Sequence, residues 1–287
     1  MTKRNLVLTY ASGEPLFRGD GFATFLETFR GNVDADLAVV THDIPDDVRD
    51  DLEADGVRVV PSADVHFLYR DRHLSFYRFL NDHGHRYGHV LVADSRDVLF
   101  QADPFDWVAE WKSRYGSITG DHRFLDHFVV LTAEGFKMAD SGFACVEHFE
   151  FQRDVPMPYM CEDKDRWVIN AGVFLGTPRA LQDWHFLVWT TTMKTIGRCT
   201  DQATVNWLMR HLEDDDAYQV SFPSHDNLCL TGEGVKEGAV RPEVRNGRLY
   251  NELGKPYYLV HQWDRLPQEV AASLIGARKP CDTSTSA

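Results

Sequence analysis

Short apolar runs alternate with amphipathic segments between Leu6 and Ala93, and this alternation constrains the fold more than any other feature of the chain. Leu6-Val7-Leu8-Thr9 reads as a buried strand, and a Ser-Gly-Glu-Pro loop follows it. Gly21–Phe29 is apolar at helical spacing, and Asp36–Val40 is a second strand. Ile44-Pro45-Asp46-Asp47 opens a helix, since proline presets φ for the first turn and acids there complement the helix dipole. Gly56 ends that helix, and Val57–Val60 is a third strand. Asp71–Asn81 is spaced as a helix, and Tyr87–Ala93 is a fourth strand. Strand, helix, strand, helix in this order predicts an α/β fold with a mostly parallel central sheet and helices on both faces.

The rest of the chain is less regular. Pro104–Tyr115 reads as a helix, with Trp107 and Trp111 on one side. Phe128–Leu131 and Trp167–Leu175 read as strands, separated by a charged, proline-containing loop over Phe151–Asp165. Helices are expected over Pro178–Ile196 and Asp201–His211, and a last strand over Tyr257–Val260. Arg245-Asn246-Gly247-Arg248 is a two-residue hairpin signal, so a small antiparallel hairpin is expected near the C-terminus. Its glycine-containing surroundings, Asn227–Lys255, could fold over a ligand as a lid. With 287 residues and no evident linker, one domain over 1–280 and a disordered tail over 281–287 are expected.

Lys plus Arg is 30 and Asp plus Glu is 44, a net charge of −14. That balance disfavours nucleic acid and anionic membranes as partners, and it counts against a DNA-modifying enzyme. A phosphate-bearing ligand is still compatible, because a divalent cation can reverse the local sign. Cys145, Cys161, Cys199, Cys229 and Cys281 show no paired spacing, which reads as free thiols in a reducing compartment. No apolar run reaches the length of a membrane span, and the first strand begins almost at once, so a cytoplasmic protein is expected.

The most informative stretch is Val90-Leu91-Val92-Ala93-Asp94-Ser95-Arg96-Asp97. Ligands of open α/β sheets bind beyond the carboxyl ends of strands. Two carboxylates there repel unless a cation lies between them, and hard divalent ions take oxygen ligands. The plain alternative is a solvated strand-to-turn junction. His261 follows another apolar strand near the end of the chain and would suit Mn²⁺-like ions as a third ligand.

Together these segments resemble the GT-A nucleotide-sugar transferases, especially those similar to the family 8 retaining glycosyltransferases. The resemblance is carried by Asp94–Asp97, Asn170-Ala171-Gly172-Val173, Asp201-Gln202 and His261, in that order, within Leu6–Arg265. The family's DxD becomes Asp-Ser-Arg-Asp here, and Val-His-Gln-Trp-Asp-Arg replaces its C-terminal His-x-x-Gly-x-Lys-Pro pattern. The resemblance implies a Rossmann-like GT-A fold and a Mn²⁺ or Mg²⁺ cofactor. It also implies a nucleotide-sugar donor, a UDP-sugar above others, and a carbohydrate or other hydroxyl acceptor. It assigns metal binding to Asp94, Asp97 and His261, with Asp94 alternatively holding the donor. It assigns donor contacts to Thr9, Tyr10, Arg78, Asn170 and Gly172, and places Asp201 and Gln202 at the reacting sugar.

Other residues carry weaker expectations. Arg72, on the same helix as Arg78, reads as a surface charge. Trp263 is a candidate sugar platform, whereas Trp107, Trp111, Trp184, Trp189 and Trp207 read as core. Asp121-His122-Arg123 and Asp126-His127 could include a base if the reaction inverts. Glu213–Asp216 reads as a solvated helix end, and Thr200 as a cap for the following helix. A nucleotidyltransferase would carry a cationic glycine-rich loop where this chain has Ala11-Ser12-Gly13-Glu14-Pro15. A non-catalytic sugar-binding module on the same fold is the remaining alternative.

Overall fold

The computed structural model describes residues 3–62, 68–119, 123–141, 165–193, 201–212 and 214–276. Cys145, Cys161, Cys199, Cys281, Thr200, Asp121, His122, Glu213, most of the 151–165 loop and the 281–287 tail lie outside them.

The strands β1 (Arg4–Ala11), β2 (Asp36–Thr41), β3 (Arg58–Pro61), β4 (Tyr87–Ala93), β6 (Val129–Lys137), β7 (Trp167–Gly176) and β8 (Tyr218–Ser221) form one seven-stranded sheet. Its order is β3-β2-β1-β4-β7-β6-β8. β7 runs antiparallel to both neighbours, and every other pairing is parallel. The mostly parallel α/β sheet expected from the strand–helix alternation is therefore present, with one reversed strand inserted beside β4.

Helices cover both faces. Against one pack α2 (Asp20–Asn32) and α5 (Pro104–Thr119), contributing Phe22, Phe25, Trp107 and Trp111 to a core with Val7, Leu91 and Leu175. Against the other pack α4 (Leu68–His83), α6 (Pro178–Thr192) and α7 (Asp201–His211), which bring Phe76, Trp184 and Val205 onto Leu8, Val92 and Phe174. α4 and α6 are also joined by a wholly buried imidazole pair, His73 Nδ1 to His185 Nδ1 at 2.9 Å. Burial keeps both rings uncharged, drawing His185 down to about 3. Two shorter helices precede and follow α2 in the chain, α1 (Glu14–Phe17) and α3 (Asp46–Ala54). The Ser-Gly-Glu-Pro stretch, expected as loop, thus contains one helical turn. Trp107, Trp111 and Trp184 are buried as expected, and Trp189 and Trp207 are partly buried.

A second sheet, β5-β12-β9, stands at the carboxyl edge of the first. It joins β5 (Val98–Phe100), β9 (Cys229–Thr231) and β12 (Leu259–His261). Helices α8 (Gly232–Lys236) and α9 (Gln268–Gly276) flank it. The expected hairpin is β10 (Glu243–Arg245) paired with β11 (Arg248–Tyr250), and Asn246 and Gly247 at its tip both have positive φ. It is not a lid. Gln101 donates to the Leu249 carbonyl and accepts from the Leu249 amide, which fastens the hairpin to the second sheet. None of its residues lines the cavity described below. No helix among the described residues is long and apolar enough to cross a membrane. Cys229 is buried and unpaired, with its thiol pushed up by burial.

Gly21 governs how closely α2 approaches the turn after β4. A Cβ there would stand 2.1 Å from the Arg96 carbonyl oxygen. Gly21→Ala should therefore destabilise the fold by about 1–3 kcal/mol, as overpacking of a tight contact does, read as a lower urea midpoint with an unchanged slope.

Candidate metal centre and ligand cavity

Strand β4 ends at Ala93, and the chain turns through Asp94-Ser95-Arg96-Asp97 into β5. Ser95 points inward and donates to the Tyr10 carbonyl at 2.9 Å, while Arg96 points outward and pairs with Asp97 Oδ2 at 2.9 Å. The turn thereby brings Asp94 and Asp97, three apart in sequence, to one side. β12 supplies the third group. Its register sets His261 opposite Val98, the residue after Asp97. His261 Nε2 lies 3.7 Å from Asp94 Oδ2 and 3.7 Å from Asp97 Oδ1. The three candidate ligand atoms lie within 4.8 Å of one another. Two donors that share an ion at about 2.1–2.6 Å are at most about 5 Å apart, so the spacing fits one divalent cation. Asp97 Oδ1 is buried and has no hydrogen-bond partner, as a carboxylate oxygen reserved for a cation would be.

Gly172 makes this convergence possible. A Cβ there would meet His261 Cε1 and Nε2 at 2.5 Å and Asp94 Oδ2 at 2.7 Å. The Gly172 carbonyl also accepts from the Asp94 amide at 2.9 Å. Asn170, two residues earlier, is buried and turns its amide on its own strand. Its Oδ1 accepts from the Gly172 and Val173 amides at 2.8 and 3.1 Å, and its Nδ2 donates to Thr132 Oγ1 at 2.5 Å. Asn170 thus shapes the Gly172 turn while also lining the cavity.

Asp201 opens α7, and its place is set by Asn206 one turn later. Asn206 exchanges hydrogen bonds with the Ile169 backbone at 2.9 and 2.8 Å, pinning the helix to β7. Arg72 on α4 ties the two halves together. It donates to Asp94 Oδ1 at 2.6 Å, Asp201 Oδ2 at 2.7 Å and the Ala171 carbonyl at 2.8 Å. Burial raises the Asp201 carboxyl and Asp94's charge adds to it, with Arg72 opposing. Burial would raise Asp94 as well, but Arg72 and His261 outweigh it and hold that carboxyl low. His261 is pushed down by burial and up by Asp94, Asp97 and Glu134, and the carboxylates win, so its ring is more basic than an ordinary histidine.

The cavity enclosed by these groups has a volume of about 200 Å³. Gln202 lines it beside Asp201, and Arg96, Arg265, Glu134 and Glu233 complete its polar wall. Sequence reasoning passed over Arg72, Glu134 and Arg265. Arg72 looked like a surface charge, and it was Arg78 that was expected at the donor. Arg78 instead lies on the exposed face of α4, outside the cavity, because six residues of helix turn it well away from Arg72.

Several other expected contacts do not reach the cavity. Thr9 is fully buried, and its hydroxyl is used on the Ala93 carbonyl at 2.6 Å. Tyr10 packs on Phe76, and its hydroxyl is 3.5 Å from Ser62 Oγ. Trp263 packs against Leu99, Val260 and their neighbours in the second sheet's core rather than facing the cavity. Asp126 and His127 precede β6 and lie at the opposite edge of the sheet, near Lys3 and Tyr87, so they cannot serve as a base here.

No protein-family model matches the sequence, and no curated protein matches it. Solved structures do share the fold. One is the galactosyltransferase LgtC in complex with donor and acceptor sugar analogues, at 12% identity and a TM-score of 0.53. Another is an active-site mutant of LgtC, at 12% identity and a TM-score of 0.55. Each comparison covers 97% of this chain and 98% of the other. The fold is that of these GT-A enzymes.

Two outcomes follow for the candidate centre. Gly172→Ala should weaken Mn²⁺ binding by about tenfold or more in calorimetry, with the circular dichroism of a folded protein retained. Because His261 is more basic than its usual 6.5, its proton competes with a metal. Mn²⁺ affinity should therefore rise with pH through and above that value, and a flat profile would exclude His261 as a ligand.

Proposed function

We propose that this chain is a divalent-metal-dependent glycosyltransferase that moves a sugar from a nucleotide-diphosphate donor, a UDP-sugar first among them, to a carbohydrate or other hydroxyl acceptor. The observation that carries the proposal is the Asp94–Asp97–His261 cluster at the carboxyl edge of the sheet, in one cavity with Asp201 and Gln202. Those five are among the residues that the family 8 resemblance singles out, and one LgtC structure of the same fold is a complex with donor and acceptor sugar analogues.

Asp94, Asp97 and His261 would hold Mn²⁺ or Mg²⁺, which supplies a Lewis acid beside the donor diphosphate. Arg96 stands on the same cavity wall, where a guanidinium suits phosphate oxygens. Arg72 keeps Asp94 and Asp201 in place and opposes the protonation that burial favours at Asp201, so that Asp201 can accept hydrogen bonds from donor-sugar hydroxyls. Gln202 presents a carboxamide to the reacting carbon without adding charge. We favour retention. Among the described residues, the carboxylates in the cavity are engaged with Arg72, Arg96, Arg265 or His261, or buried as Glu134 is, so none of these stands ready as a base for an inverting attack. The departing phosphate would then take the acceptor's proton on the same face.

The test is thermal denaturation with UDP- and GDP-sugars, each with Mn²⁺ or with EDTA. A donor at a hundredfold excess over its dissociation constant should stabilise the protein by about 2.7 kcal/mol, and only when metal is present. Asp97→Ala should lose that metal-dependent shift and lower transfer by at least about a hundredfold. Normal turnover by that variant, or an equal shift in EDTA, would refute the proposal.

A further inference from the structure

Among the described residues, Glu134 is the one carboxylate of the cavity that neither a guanidinium nor a metal-ligand role explains. It sits in β6 and is 1% exposed. Its Oε1 has a long contact with Gln262 Nε2 at 3.5 Å, and its Oε2 is buried with no hydrogen-bond partner. A buried carboxyl group with so few hydrogen bonds costs the fold free energy.

His261 poses the complementary problem. Its Nε2 faces Asp94 and Asp97, and its Nδ1 is buried with no hydrogen-bond partner. If Nε2 gives its lone pair to a cation, the ring's proton is on Nδ1, and that donor needs an acceptor. Histidines that bind metals nearly always give their second N–H to a carboxylate, a carbonyl or a water.

Glu134 is also fastened to both flanks of His261. Its carbonyl accepts from Thr231 Oγ1 at 3.2 Å, and Thr231 pairs with His261 in the register of the second sheet. Its carboxylate contacts Gln262, the next residue after His261, which holds a left-handed conformation at φ 57°. Gln262 in turn accepts from the Glu233 amide at 3.0 Å, and Gly234 lets α8 press directly on the Glu134 backbone. The central sheet therefore reaches the second sheet through Glu134 at the place where His261 is carried.

We propose that Glu134 is a positioning residue for His261, holding the segments on either side of the ring in place so that Nε2 faces Asp94 and Asp97. This rests on the metal-site reading above. Direct contact with a bound sugar is the competing role, and the burial of Oε2 speaks against it.

The experiment titrates Mn²⁺ alone into wild type, Glu134→Gln, Glu134→Ala and Asp97→Ala, following free Mn²⁺ by electron paramagnetic resonance. Melting temperatures are measured without metal, and donor KM and kcat with it. Glu134→Ala should weaken Mn²⁺ binding by about 10–100-fold. Glu134→Gln keeps an acceptor oxygen and should lose less, while melting close to wild type. Mn²⁺ affinities within twofold of wild type in both variants would overturn the assignment. So would a rise in donor KM with unchanged Mn²⁺ affinity, which would make Glu134 a sugar contact. If wild type binds no more Mn²⁺ than Asp97→Ala, the metal-site reading fails and this assignment goes with it.

Discussion

Arg72 lets carboxylates from separate parts of the chain share a nearly dry corner. Its guanidinium reaches Asp94 after β4 and Asp201 at the start of α7, while its own side chain is 11% exposed. Unit charges about 4 Å apart interact by about 4 kcal/mol at an effective dielectric near 20, so without this cation the partly exposed Asp94 would favour protonation of the buried Asp201. The remaining tendency shows in Asp201, which burial and Asp94 still raise. A clamp of this kind adds little net stability, because desolvation offsets most of the attraction. What it adds is position: α4, β4 and α7 meet at one planar group with fixed hydrogen-bond directions.

The reversed strand β7 decides what that corner contains. In a fully parallel sheet, the strand beside β4 would send its carboxyl end to the same edge and continue as a loop. β7 instead enters at that edge, so its first half, Trp167–Gly172, runs past the end of β4. This puts a glycine against Asp94 and His261, and puts Asn170 where it can tie the Gly172 and Val173 amides. β4 has ended before it reaches Ile169, whose backbone bonds instead to Asn206 and so seats α7. The fold thus creates the cavity by topology, and its carboxylate and imidazole side chains come from five separate segments among the described residues.

Much of this was legible in the sequence, and the exceptions have physical causes. β4 was readable to the residue, because an apolar run bounded by turn residues has sharp edges. Asp94, Asp97, Asp201 and His261 stood out, as polar groups at the ends of apolar strands or at a helix start. The three- and four-residue strands β5, β8 and β9 were not visible, since alternation cannot be seen over so few positions and their pairing is wholly nonlocal. Nothing local reveals that β7 runs backwards. Arg72 and Arg78 lie on the same helix, and spacing cannot say which face meets the site before α4 is docked on α6. Thr9 failed for a different reason: the strand end was right, but its hydroxyl is satisfied across the sheet by the Ala93 carbonyl.

Charge in the cavity finally bears on why a cation would be required. Asp94, Asp97, Glu134, Asp201 and Glu233 face Arg72, Arg96 and Arg265, which leaves two negative charges in excess when all are ionised and His261 is neutral. A donor diphosphate would add to that excess. Arg72 and Arg265 are already engaged, Arg265 with Glu233 at 2.7 Å, so neither can be recruited without exposing a carboxylate. Protonated His261 supplies one positive charge, and at that point it no longer has a lone pair to offer as a ligand. A divalent cation between Asp94, Asp97 and a neutral His261 supplies two charges and relieves the carboxylate repulsion in the same step. Under the proposed function, the acidity that would repel a nucleotide-sugar from the cavity would make its binding conditional on metal.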